Sequence, residues 1–191
     1  MKVIAFNGSP RKGGNTQLLI EEVFKVLTVE GIETELFQLG GKIVQGCNAC
    51  MSCRKMQDKR CHIKNDILNM AIGKMIEADA IILGSPVYFA DVTAEMKALI
   101  DVAGYVTRGN GNLLARKVGA GIIAVRRAGA IHAFDTINNF FLINQMIVPG
   151  STYWNIGIGR DKGDVLNDLE GIETMRNLGL NMAWLLKKLN P

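Results

Sequence analysis

The chain has 191 residues, 48% of them hydrophobic and 21% charged, with 21 Gly, 4 Pro and a formal net charge of +4. Such a length suits one domain with a sizeable core, and the Lys and Arg are scattered rather than arranged in a basic stripe, so no nucleic-acid partner is expected. The opening MKVIAFNGSP lacks the apolar length of a signal peptide, and no stretch reaches the ~20 apolar residues of a membrane helix, so the expectation is a cytoplasmic chain with reduced thiols and no membrane attachment.

Short apolar runs alternate with longer amphipathic stretches, the pattern of βαβ units around a parallel sheet. Val3–Phe6 predicts the first strand, Asn7–Gly14 a loop, and Asn15 to about Glu30 a helix ended by Gly31. Leu18, Leu19, Val23, Val26 and Leu27 fall on one stripe of that helix. Thr34–Leu39 alternates as a second strand. Residues 40–65, with a Cys-rich insertion at about 44–65, are too long for an ordinary connection, and loops of that size usually carry function.

Asp66 is placed to cap a helix running to about Glu77, and Ala80–Leu83 is a fully apolar third strand. Thr93 is placed to cap a helix from Ala94 to about Tyr105. Val118–Val125 predicts a fourth strand, Ile131–Asn144 a helix, Met146–Tyr153 a fifth strand and Leu169–Leu189 the last helix. Leu178, Met182, Leu185 and Leu186 should face the sheet, with Trp184 in the same core stripe. Together these elements predict one α/β domain, a doubly wound five-stranded parallel sheet with helices on both faces.

Between the first strand and first helix lies Gly8-Ser9-Pro10-Arg11-Lys12-Gly13-Gly14-Asn15-Thr16. In open α/β sheets the first βα turn is the usual phosphate site, because N–H groups at a helix N-terminus point outward and glycines let backbone close on an anion. Ser9 and Thr16 add hydroxyls, Asn15 an amide, and Arg11 and Lys12 positive charge. The spacing matches neither the dinucleotide G-x-G-x-x-G nor the Walker loop; a hydroxyl-rich loop without an essential lysine suits a terminal monophosphate such as that of FMN. A plain Gly-rich turn is the competing reading.

Cys47, Cys50 and Cys53 form C-x₂-C-x₂-C, and Cys61 follows after seven residues. That triplet is a common core of [4Fe–4S] sites, held by four Cys thiolates. Structural zinc, usually bound by two separated Cys pairs, an unliganded loop, and disulfides stand as alternatives. His62 is a spare ligand or a surface imidazole. Pro86 should end the third strand and leave Val87, Tyr88 and Phe89 at the sheet's carboxyl edge. Arg126 and Arg127, after the fourth strand, either stabilise negative charge on a bound ring or start a basic helix. His132 reads as a packed or exposed imidazole rather than a catalytic one, and Tyr153 and Trp154, with Gly157 and Gly159, either line the outer side of that ring or form part of an interface.

GSPRKGGNT with its helix resembles the FMN phosphate loop of the NADPH-dependent FMN reductase and iron–sulfur flavoprotein group, and GSPVYF over 84–89 is a second landmark of the same group. The resemblance, which extends through Thr93–Lys97 and Asp101, implies a flavodoxin-like fold. It also implies FMN with Pro86, Val87, Tyr88 and Phe89 along its ring, and a helix after Thr93 that joins a homodimer or homotetramer. It further implies electrons arriving from a ferredoxin-like donor, passing through a cluster to the FMN of a neighbouring subunit, and leaving to a quinone, O₂ or peroxide. The chain departs from that pattern in its long charged spacer, Arg54 to Arg60, and in Asn65-Asp66, where relatives often carry two acidic residues. A cluster-free NAD(P)H-dependent flavin, quinone or nitro-compound reductase is the first alternative; a non-enzymatic electron carrier or redox sensor is the second.

Overall fold

In a computed structural model, which describes residues 1–64 and 66–190, five parallel strands form one sheet in the order β2-β1-β3-β4-β5. The elements are β1 (Lys2–Asn7), α1 (Asn15–Val29), β2 (Glu33–Gln38), α2 (Ser52–Met56), α3 (Asp66–Glu77), β3 (Ala80–Pro86), α4 (Ala94–Gly109), β4 (Val118–Val125), α5 (Ala130–Ile143), β5 (Ile156–Ile158) and α6 (Leu169–Leu189). The order is flavodoxin-like, and it reverses between β1 and β3; ligands bind at such a switch point, beyond the strands' carboxyl ends.

Alternation along each central strand divides the core. Val3 and Ala5 of β1 and Ala80 and Ile82 of β3 meet α1 and α6 on one face; Ile4, Phe6, Ile81 and Leu83 meet α3, α4 and α5 on the other. Both faces are buried, so β3 and β4 read as unbroken apolar runs.

Four expectations need correction. The fifth strand is Ile156–Ile158, not Met146–Tyr153. Ile147 does pair with Lys117 and Gly119 at the start of β4, but Pro149 has no N–H to continue a ladder, so the chain leaves the sheet and re-pairs only at Ile123–Val125. Trp184 is 63% exposed, because it lies about 200° round α6 from the buried Met182 and outside the stripe of Leu178, Met182 and Leu186. Asp66 lies inside the first turn of α3, where its charge suits the positive end of the helix, and the preceding residue, Asn65, is outside the described residues. Helix α4 also runs one turn further than expected, to Gly109.

The candidate cofactor edge and the thiol loop

Three segments close over the end of β1. Asn7 is fully buried; its Oδ1 accepts from Ser9 N at 3.0 Å and its Nδ2 donates to Gln38 Oε1 at 2.9 Å. Gln38 Nε2 donates to Ser9 O at 2.7 Å and to Gly40 O at 2.9 Å, while Leu39 N and Gly40 N donate to Asn7 O. The end of β2 therefore clasps the glycine-rich loop after β1. Gly40 makes this possible: a Cβ there would lie 2.3 Å from Ser9 C and 2.4 Å from Gly8 O. On the other side Gly8 N donates to Gly84 O at 2.7 Å, and Thr93 Oγ1 donates to Gly8 O at 3.0 Å. Thr93 also caps α4, accepting from Met96 N, as expected. Thr93→Ala removes both bonds and is expected to lower the unfolding free energy by about 1–2 kcal/mol in urea denaturation, and an unchanged midpoint would contradict the double role.

Within the loop, Arg11 N donates to Ser9 Oγ, Gly14 N to Arg11 O, and Gly13 N to Gln17 Oε1. The N–H groups of Lys12, Asn15 and Thr16 have no acceptor among the described residues, and Gly14, the N-cap of α1, has no side chain to fill their place. Thr16 is buried against Gly84 with no hydroxyl partner among the described residues, and Arg11 and Lys12 are exposed. N–H groups without an acceptor, free hydroxyl capacity and cations without a carboxylate partner fit a phosphate monoester. Asn15 is differently placed: its Nδ2 donates to Asp161 O at 2.9 Å and its Oδ1 accepts from Gly163 N at 2.8 Å.

The second landmark folds back on itself beside this loop. Pro86 ends β3, Val87 N donates to Ala124 O, and Tyr88 and Asp91 exchange backbone bonds of 2.8 and 3.2 Å. Phe89 and Ala90, at φ 46° and 68°, make the tight turn in the left-handed region, and the Phe89 side chain is fully exposed with Tyr88 beside it. Gly129, at φ +87°, brings the third loop against Val87 and Ala90, where a Cβ would be 3.2 Å from each. The three loops thus form a continuous edge. Arg126 and Arg127 are both exposed on it, and Arg127 borders a cavity of about 420 Å³ with His132, Tyr153 and Trp154.

The thiol loop reverses direction repeatedly: Ala49, Met51, Gln57 and Lys59 all have positive φ, from 51° to 63°. These turns fold Cys47, Cys50, Cys53 and Cys61 around one small cavity of about 20 Å³, room for about one water molecule, backed by Val102, Tyr105 and Val106 of α4. Among the described residues no group of three His, Cys, Asp or Glu stands in a metal-holding arrangement, so the thiols share a cavity without forming a finished cage. Four thiols on one cavity are nonetheless a donor set that suits soft metals and iron–sulfur clusters. Burial pushes the Cys53 and Cys61 thiols up, whereas a hydrogen bond with the Ser52 side chain holds the Cys50 thiol below its usual range. His62 pairs with Asp58 at 3.1 Å, and that hydrogen bond holds the Asp58 carboxyl down.

Two asparagines that the sequence does not mark hold this loop in place. Asn110, after α4, donates to Cys53 O at 3.2 Å and to Val106 O at 2.8 Å, and accepts from Lys59 N at 3.0 Å. Asn69 of α3 accepts from Cys61 N at 2.8 Å and donates to Cys61 O at 3.0 Å. Arg54 lies over the Tyr105 ring at 5.5 Å and crosses Gly109, where a Cβ would come within 2.7 Å of Arg54 Cγ. Gln38, Gly40, Asn69 and Asn110 carry no motif of their own; nothing in the order of residues signals them.

Residues 1–161 match the family described as NADPH-dependent FMN reductase. An iron–sulfur flavoprotein of Methanocaldococcus jannaschii is 42% identical, with 98% of each chain covered. The iron–sulfur flavoprotein of Methanosarcina thermophila is 32% identical over 98% of this chain and 96% of its own. Among solved structures, the NAD(P)H:quinone oxidoreductase from Methanothermobacter marburgensis superposes with a TM-score of 0.72 at 15% identity, covering 95% of this chain and 96% of that one. The flavodoxin, WrbA-like protein from Agrobacterium tumefaciens gives 0.67 at 14%, covering 98% and 97%.

Proposed function

The chain belongs to the NADPH-dependent FMN reductase family, and from that premise we propose that it is an FMN-dependent oxidoreductase that takes electrons through a [4Fe–4S] cluster and delivers them to a small acceptor. The observation that carries this reading is the joining of the three loops at the β1/β3 switch point, with unpaired N–H groups at one end and an exposed aromatic turn at the other. The relatives named iron–sulfur flavoproteins support the cluster, as does the shared cavity of the four cysteines.

FMN, when bound, supplies both one-electron and two-electron chemistry, and the protein's part is to bind, orient and tune it. The N–H groups of Lys12, Asn15 and Thr16, with the Ser9 and Thr16 hydroxyls and the Arg11 charge, would hold the phosphate. Pro86–Phe89 would lie along the ring, with the exposed Phe89 and Tyr88 excluding water from it. Arg126 and Arg127 would favour negative charge at the ring's edge. Cys47, Cys50, Cys53 and Cys61 would hold the cluster, whose role is single-electron exchange. Arg54, Lys55, Lys59 and Arg60 give the rim of the thiol loop a positive face, which suits an acidic ferredoxin-like donor. A quinone, O₂ or peroxide is the proposed acceptor.

The proposed assembly is a homodimer or homotetramer in the cytoplasm, each chain one flavodoxin-like domain. Ile131, Leu142 and Ile143 leave an apolar surface on α5, and no helix of the described residues is long and apolar enough to cross a membrane.

One second reading has an observation in its favour. The thiols are not gathered into a metal-holding group, and a cavity of about 420 Å³ beside Arg127 is large enough for a planar ring, which together favour a cluster-free NAD(P)H-dependent reductase. Iron, acid-labile sulfide and FMN, measured per chain after anaerobic purification, separate the readings. About one FMN and about four iron atoms are expected; flavin without iron selects the second reading, and a chain that takes up no FMN defeats both. Thr16→Ala is expected to weaken FMN by about tenfold to a hundredfold in a fluorescence titration, since a hydrogen bond to a charged group is worth about 1.5–3 kcal/mol. Unchanged affinity would remove Thr16 from the phosphate site.

A further inference from the structure

We infer that Lys162, on the loop after β5, is a phosphate-binding residue of the FMN site, and that the side chain of Asn15 delivers it there. The inference rests on the FMN reading above and adds a ligand far outside the glycine-rich loop.

Asn15 is the first residue of α1, and both polar atoms of its amide are used on a segment nearly 150 positions away: Nδ2 on Asp161 O at 2.9 Å and Oδ1 on Gly163 N at 2.8 Å. Gly159 presses on the same amide, where a Cβ would fall 2.8 Å from Asn15 Nδ2. Residues 159–164 form a closed turn. Asp164 Oδ2 accepts from Arg160 N and Asp161 N, and Gly163 sits at φ +95°, a conformation that favours glycine. Residue 162 is thereby carried over the phosphate loop, with Lys162 Nζ 3.2 Å from the point where Gly13 would bear a Cβ. Gly13, at φ +63°, leaves that space open.

No carboxylate among the described residues lies within 4.0 Å of Lys162 Nζ, nor of the cationic groups of Arg11 or Lys12. The acids on the same turn are Asp161 and Asp164, and Asp164 is turned inward to the turn's own N–H groups. Lys162 Nζ over Gly13 and the Arg11 and Lys12 side chains on the same loop are thus cations without a carboxylate partner, beside N–H groups without an acceptor. A phosphate monoester, close to doubly charged at neutral pH, has the charge and the acceptor oxygens to satisfy all of them. Asn15 is therefore a positioning residue for Lys162 as well as the start of the helix.

The test uses the full chain freed of flavin and titrated with FMN and with riboflavin, which lacks the phosphate, following flavin fluorescence. Lys162→Ala should weaken FMN about threefold to tenfold while leaving riboflavin unchanged, and the difference should shrink as salt is raised. Lys162→Arg should restore most of the loss. Asn15→Ala should weaken FMN as well, and adding Lys162→Ala to it should cost nothing further, because the two act as one unit. A Lys162→Ala chain that keeps the wild-type ratio of FMN to riboflavin affinity, or that weakens both flavins equally, overturns the inference. A wild-type chain with no preference for FMN over riboflavin would overturn the FMN reading itself, before any substitution is made.

Discussion

Gly40→Ala is expected to cost at least about 3 kcal/mol of stability and to reduce FMN affinity more than a hundredfold. The new methyl would fall 2.3 Å from Ser9 C, 2.4 Å from Gly8 O and 2.5 Å from Ser9 O. All three are backbone atoms of the phosphate loop, so no side-chain rotation relieves the clash. Either the end of β2 lifts away, breaking the bonds from Leu39 N and Gly40 N to Asn7 O, or the loop moves and its N–H groups lose their common focus. Gly73→Ala is the matched control, since nothing lies within 4 Å of a Cβ there and α3 should gain about 0.5–1 kcal/mol from it. Gln38→Leu supplies a variant without a clash. It loses the bonds to Ser9 O and Gly40 O and the one accepted from Asn7 Nδ2, and should weaken FMN about tenfold and lower the melting midpoint without unfolding the chain. Thermal melts and flavin titrations of the three variants check the scheme, and normal FMN binding by Gly40→Ala would contradict the clasp.

Cys53→Ala is expected to bring iron and acid-labile sulfide from about four per chain to nearly none while FMN content stays at the wild-type level. The two regions are physically separate: Cys53 sits on α2 against α4, whereas the glycine-rich loop after β1 is held by β2, β3 and the Asn15 turn. The substitution leaves Asn110 bonded to the Cys53 carbonyl, so the loop's backbone keeps its anchor. Asn110→Ala tests that anchor separately. It frees the Cys53 and Lys59 ends together and should lower iron content while all four thiols remain. Full iron retention in Cys53→Ala would remove that thiol from the ligand set.

Features confined to a few neighbouring residues were legible in the order of amino acids. The glycine-rich turn before α1, the Thr93 cap, the positive-φ Gly31 and the apolar runs of β3 and β4 all depend on residues close in the chain, as does the C-x₂-C-x₂-C triplet. Period and composition report such features directly because the physics that produces them is local. Two local signals misled. The apolar run Met146–Tyr153 has strand composition, but Pro149 ends its pairing; Trp184 has core chemistry, but the phase of α6 turns it to solvent.

Composition, periodicity and short spacings therefore determined the α/β class, the first four strands, the five long helices, the glycine-rich turn before α1 and the clustering of four thiols in the chain. The tertiary structure alone decided which distant groups finish each site: Gly40 against Ser9, Asn110 against Cys53, and Asn15 against Asp161 and Gly163. Those contacts join segments tens to more than a hundred residues apart. They exist only because sheet order and helix packing bring chain ends to one edge, and an isolated Asn, Gln or Gly carries no pattern that foretells its partner.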